Sequence, residues 1–197
     1  MRKLFPKLYT PLSIRRGGGG EAFLLLFFLF LSCEQEDNTY SRRHVSWGFS
    51  PSTSVTILHN ALNSPGEYVT VRKDVSGTKF LFHSLKSDLS WPMTELDRRT
   101  TIMGLSGFII GLPTMPELGY TVSHPVCYEL TCINCYNNDS YARDVTLQAG
   151  GQAKCDRCGR VYDLNNQGII ISDHSGLKLD RYRISYSGGV TNAVSVY

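Results

Sequence analysis

The 197-residue chain lacks an apolar run long enough to cross a bilayer as a helix: its longest, Ala22–Leu31, has ten residues against the roughly 20 that a span requires. Long helical patterns are missing as well, and what recurs instead is short apolar or alternating runs broken by Gly, Pro, Asn and Ser. There is no Gly-Lys phosphate loop, no Ser-His-Asp order in a suggestive context and no histidine-rich open metal site, so the usual bases for an enzymatic reading are absent. Internal repeats are also absent. A strong charge surplus is lacking too, because the formal net charge is only +3.

That small surplus sits in the first 32 residues. Arg2, Lys3, Lys7, Arg15 and Arg16 precede the run Ala22–Leu31, a basic opening followed by a short apolar core, which is the pattern of an export signal over residues 1–32. Gly17–Gly20 follow Arg15-Arg16, so the arginine pair reads as ordinary basic charge rather than a twin-arginine signal. Without residues 1–32 the chain carries 15 basic and 16 acidic residues, which removes any electrostatic footprint for nucleic acid. Glu34–Asp37 adds an acidic patch, read as a solvated linker or a surface-sorting signal. Residues 33–43 read as a flexible polar tether, and 44–197 as one β-rich domain.

Within that domain the expected strands are 45–49, 68–72, 79–83, 100–103, 107–110, 128–132, 168–172 and 179–186. Phe108-Ile109-Ile110 and Ile169-Ile170-Ile171 are apolar on both faces and predict central strands. Ser187-Gly188-Gly189 predicts a hairpin turn into 190–196. Val55–Leu62 fits either a strand or a short helix.

Cysteine usage carries the chemistry. Cys132-Ile133-Asn134-Cys135 and Cys155-Asp156-Arg157-Cys158 are two close pairs separated by 19 residues. A two-residue gap lets a tight turn aim both sulfurs at one point, and two such turns can complete a tetrahedron around Zn²⁺ or iron. A pair of disulfides is the competing use of the same residues in an exported protein. Lys154, Arg157 and Arg160 read as a solvated rim, and Asp163 and Asp173 as turn formers. Cys127 lies five residues from Cys132, so on one strand the two point to opposite faces and Cys127 is expected to be a buried free thiol.

Two family resemblances sharpen these readings. Ser32-Cys33 at the end of the apolar run resembles the lipobox of bacterial lipoproteins, which implies lipidation at Cys33 and an anchor in the outer membrane or at the cell surface. Cys155-Asp156-Arg157-Cys158-Gly159, the aromatic-Asp turn Tyr162-Asp163, Gly168 and Leu179-Asp180-Arg181-Tyr182 together resemble a Rieske domain over about residues 99–186, with 120–130 as a strand into the first pair. The resemblance implies an antiparallel β sandwich or barrel bearing a rubredoxin- or zinc-ribbon-like metal lobe. The departures fall on the ligands. Asn134 and Cys158 stand where that family has histidines, and His44, His59, His83, His124 and His174 all lie outside the two pairs. Cys135 offers the replacement thiolate, making the expected site an all-cysteine one of Cys132, Cys135, Cys155 and Cys158. Oxygenases that carry a Rieske domain also carry a catalytic iron domain, for which this chain is too short.

Three states of the four thiols are then in play. Zinc closes every coordination position and contributes on the order of 10–16 kcal/mol to folding. Iron, as one ion or a thiolate-bound 2Fe–2S cluster, makes an electron carrier that serves a redox partner at the membrane. Disulfides contribute only about 2–5 kcal/mol and leave an envelope binding domain. The spacing favours a metal over disulfides, and the export route favours zinc over iron. The expected protein is not an enzyme, binds no nucleic acid, has no identified small-molecule substrate, and meets its partners in the cell envelope.

Overall fold

A computed structural model describes residues 39–189 and 191–197. The stretch 1–32 expected to be a signal peptide and the expected lipidation site Cys33 lie outside the described residues. The other readings can be placed on a fold that is predominantly β, with every strand pairing antiparallel among the described residues.

The middle layer is a six-stranded sheet. Its strands run in the order β11 (Arg181–Tyr182), β6 (Val126–Glu129), β5 (Phe108–Gly111), β2 (Tyr68–Lys73), β3 (Lys79–His83) and β4 (Asp88–Pro92). Alternate side chains leave opposite faces of a strand, and here each face meets its own apolar core. Phe108 and Ile110 of β5, Val69 and Val71 of β2 and Cys127 of β6 enter the first core, whereas Ile109, Tyr68, Val126 and Tyr128 enter the second. This explains why Phe108-Ile109-Ile110 is apolar throughout. Each of the three is fully buried, and burying such a side chain is worth about 1.5–3 kcal/mol.

The first core is closed by a three-stranded sheet of β1 (Trp47–Phe49), β13 (Ala193–Val196) and β12 (Ile184–Ser187), in the order β1-β13-β12. Trp47, Phe49, Val194 and Val196 supply its apolar face. Helix α1 (Thr56–Asn63) adds Ile57, Leu58, Ala61 and Leu62, a spacing that lines one helical face and resolves the open reading of Val55–Leu62 in favour of a helix. The second core lies under a four-stranded sheet, β10 (Ile169–Ile170), β9 (Val161–Asp163), β8 (Gln152–Lys154) and β7 (Thr146–Gln148), in that order. Leu147, Ala153, Tyr162 and Leu164 face the middle layer together with Cys132, Cys135 and Cys155.

Several expected elements differ. Ile169-Ile170-Ile171 does not form a central strand: β10 is an edge strand of the small sheet, with Ile169 and Ile171 38% and 46% exposed. The 179–186 strand is broken at Arg183, because β11 pairs with β6 in the middle layer while β12 pairs with β13 in another sheet. Over 100–103 there is only a bridge between Ser46 and Ile102, preceded by helix α2 (Glu95–Thr100). Thr94 and Asp97 cap that helix reciprocally, the Thr94 hydroxyl accepting from the Asp97 amide at 3.1 Å while the Asp97 carboxylate accepts from the Thr94 amide at 2.8 Å. The long approach strand 120–130 shortens to β6. The β12–β13 hairpin is present, its connection running over 188–192 with Val190 outside the described residues.

The start of the domain also shifts. Ser41 donates its amide to the Arg181 carbonyl at 2.7 Å, and the Arg43 guanidinium lies 5.2 Å over the Tyr136 ring. Residues 41–43 are therefore fastened to the domain rather than part of a free tether, and residues 33–38 lie outside the described residues.

Candidate metal centre

Both cysteine pairs are placed by short-range backbone geometry. Cys132 is the last extended residue before helix α3 (Ile133–Asp139), and the first turn of that helix brings Cys135 back beneath it. The first pair thus sits on a helix start, not on the loop expected from its spacing. The second pair occupies the turn between β8 and β9. Its ends are tied by Cys155 N–H to the Arg160 carbonyl and Gly159 N–H to the Cys155 carbonyl, both 2.9 Å. Closing this turn puts Gly159 at φ +72°, a left-handed conformation for which glycine carries no side-chain penalty.

The four sulfurs converge. All lie within 4.8 Å of one another, with Cys132 and Cys158 at 3.7 Å and Cys135 and Cys155 also at 3.7 Å. A tetrahedron with metal–sulfur bonds of about 2.3 Å has edges of about 3.8 Å. Disulfide sulfurs would be about 2.0 Å apart. The spacing therefore suits thiolates grouped around one ion. Cys132, Cys135 and Cys155 are buried and Cys158 is partly exposed, so the site lies just beneath the surface with one sulfur towards solvent.

The four thiols do not share one electrostatic setting. Burial, with added hydrogen bonding to Cys158 and Cys155, pushes the Cys135 thiol well up, and burial also raises Cys155 against the amides of Cys158 and Arg157. Cys158 differs: burial acts upwards, but the backbone and guanidinium of Arg160 outweigh it and bring the thiol down to about 7. A metal held by all four as thiolates would displace the protons that burial favours on Cys135 and Cys155. Binding then releases protons, and affinity falls as pH drops through and below 7.

Three residues around the sulfurs have roles beyond those read from sequence. Tyr162 of β9 places its hydroxyl 3.1 Å from the Cys132 sulfur. The Asn134 amide donates to that hydroxyl at 3.1 Å, which leaves the phenolic hydrogen directed to sulfur. Burial, reinforced by Cys132, pushes the phenol up and keeps it a donor. Asn134 also donates to the Leu177 carbonyl at 2.7 Å and accepts from the Leu177 amide at 2.9 Å. It thereby clamps a third loop over the site. Arg160 clamps the same loop, donating to the Ser175 carbonyl from Nε at 3.0 Å and from Nη2 at 2.7 Å, besides its bond to Cys158. From the partly exposed rim of the site it therefore also fastens that loop. Its position two residues after Cys158 was the available signal, whereas the contact of Asn134 with residue 177 crosses too much sequence to be visible.

Asp163 is a turn former as expected, its carboxylate accepting from the Asn165 amide at 2.9 Å. Cys127 is a fully buried free thiol in the first core, away from the four. None of the histidines among the described residues joins the cysteine group. No protein-family model matches the chain, and no curated protein matches it.

Replacing Tyr162 by phenylalanine removes a hydrogen bond to a ligand sulfur while leaving the ring in place. The expected result is a loss of roughly tenfold in metal affinity, the low end of what outer hydrogen-bond partners contribute. Competition against a chromogenic chelator measures it. Unchanged affinity would show that the hydroxyl does not act on the sulfur.

Proposed function

We propose that this protein is a non-catalytic, exported, Rieske-like domain whose Cys132, Cys135, Cys155 and Cys158 hold a single structural zinc ion, and which serves as a binding or scaffolding component of the cell envelope. The observation that carries the metal is the convergence of four sulfurs to within 4.8 Å with opposed contacts of 3.7 Å. A 2Fe–2S cluster divides its four thiolates between two irons and needs them spread wider than one tetrahedron, so a mononuclear ion is favoured. Zinc is preferred because the small sheet has strands of only two or three residues, and three of the four cysteines belong to its core. Such a lobe gains most from an ion that closes all positions. The Rieske-like assignment is supported by the second knuckle in a hairpin, Tyr162-Asp163 at the end of the strand that follows it and Tyr182 on a strand paired to β6.

A second reading replaces zinc by one iron and makes the domain an electron carrier. Partly exposed Cys158 and the hydroxyl directed at Cys132 favour it, since solvent access and hydrogen bonds to sulfur tune iron potentials. Elemental analysis of mature protein purified without chelator separates the readings. One zinc per chain and no visible absorption is expected. One iron with a visible spectrum that bleaches on reduction would establish the carrier, and no metal with loss of free thiols would establish disulfides.

Anchoring rests on the short apolar run and on Ser32-Cys33. Cys33→Ser is expected to release the protein from membranes or stop its processing. A variant that stays membrane-bound with unchanged mobility would refute lipidation.

A further inference from the structure

Where the chain passes from β11 to β12 there is a cavity of about 320 Å³, lined by Tyr40, Glu117, Tyr120, His124, Arg181 and Arg183 among others. Its polar groups are out of balance. Arg181 is buried and binds Glu117 in a fork, Nη1 to Oε1 at 2.6 Å and Nη2 to Oε2 at 2.9 Å. Among the described residues that uses the only carboxylate side chain on the wall and leaves the buried Nε–H of Arg181 without a partner. That nitrogen presents almost no surface to the cavity, so Arg181 shapes the wall and Arg183 is the guanidinium open to a ligand. Arg183, exposed at the rim, stacks its guanidinium 4.7 Å over the Tyr40 ring and has no acidic partner among the described residues. The remaining wall is aromatic, with Tyr120 and His124 packed edge to face at 5.0 Å.

We propose that this cavity binds a small carboxylate carried on a ring, with the carboxylate meeting Arg183 and the ring lying against the exposed Tyr120. Guanidinium groups pair with carboxylates through paired N–H donors, and tyrosine rings offer flat faces to aromatic and sugar rings alike. One positive charge remains after Glu117 neutralises Arg181, which suits a monoanion. The volume is at the small end of ligand pockets and fits one ring with its acid group. An aromatic acid and a sugar acid share this chemistry.

The test is calorimetric or NMR titration of the full domain, metal retained, with 4-hydroxybenzoate and with glucuronate, using acetate and inorganic phosphate as controls. Saturable binding of at least one ring acid is expected, weakened roughly tenfold or more in Arg183→Gln. Arg183 is exposed, so this variant keeps its fold, and an unchanged melting temperature verifies that. Tyr120→Ala should weaken the ring acids while leaving acetate unaffected. The preferred ring acid identifies the source. Failure of both ring acids to bind at millimolar concentration, acetate or phosphate binding as tightly as they do, or full affinity in Arg183→Gln would overturn the proposal.

Discussion

If Cys132, Cys135, Cys155 and Cys158 hold a structural zinc as proposed, Cys155→Ser is expected to strip it and melt the small sheet while the middle layer survives. Cys155 is fully buried, and its sulfur lies 3.7 Å from that of Cys135 within a cluster that works as one unit. Three thiolates with a buried hydroxyl bind zinc far more weakly. The free energy at stake, on the order of 10–16 kcal/mol of apparent binding, is comparable with the whole stability of a domain. The loss should be local, because strands β7 to β10 are short and share their core with the cysteines, whereas β5 and β2 are held from both faces. Hydrogen exchange checks this: amides over 146–170 lose protection in Cys155→Ser, and those of Phe108–Gly111 keep most of theirs. Full metal content with unchanged protection over 146–170 would refute the structural role.

Glu129→Gln is the second large effect, and it owes nothing to the metal. The Glu129 side chain is fully buried without a cation in ion-pair distance among the described residues. Hydrogen bonds satisfy both of its oxygens instead. One oxygen accepts from the Leu105 amide at 2.9 Å and the Tyr182 hydroxyl at 2.8 Å, and the other from the Thr131 amide at 3.1 Å and the Ser106 amide at 3.4 Å. A glutamine keeps one acceptor oxygen and turns an NH₂ group towards two donors. Those donors lose their partner inside the protein, at a cost of about 1–3 kcal/mol each. The expected loss is on the order of 3 kcal/mol, read as a drop in the urea midpoint with metal content unchanged. Gly104 shows how tightly this site is built, since a Cβ there would collide with the Glu129 carboxylate. A midpoint shift under about 1 kcal/mol would mean that the carboxylate is not the group holding this loop.

What could be read without coordinates was whatever depends on near neighbours in the chain. The spacing of Cys132 with Cys135 and of Cys155 with Cys158 was sufficient to propose convergence, because a two-residue gap limits where both sulfurs can point. The apolar run Phe108–Ile110 identified the middle of a sheet, and Ser187–Gly189 a hairpin. Thr94 and Asp97 carried a capping signal for α2, but β-type residues over 100–103 masked it. Strand β4 escaped notice because all five of its residues are exposed and polar residues interrupt it.

Other features belong to the tertiary structure alone. Ile169-Ile170-Ile171 and Phe108-Ile109-Ile110 look alike as sequence, yet one lies at an edge and the other at the centre, since burial depends on which strands arrive on either side. The break at Arg183 arises where the chain leaves one sheet for another, which no local periodicity records. Asn134 reaches Leu177 across 43 residues, Tyr182 reaches Glu129 across 53, and Arg181 reaches Glu117 across 64. Local sequence determined that four thiols occur in pairs able to bind an ion. Folding decided which phenol, amide and guanidinium surround them, because side chains that far apart are brought together only by the packing of the whole domain.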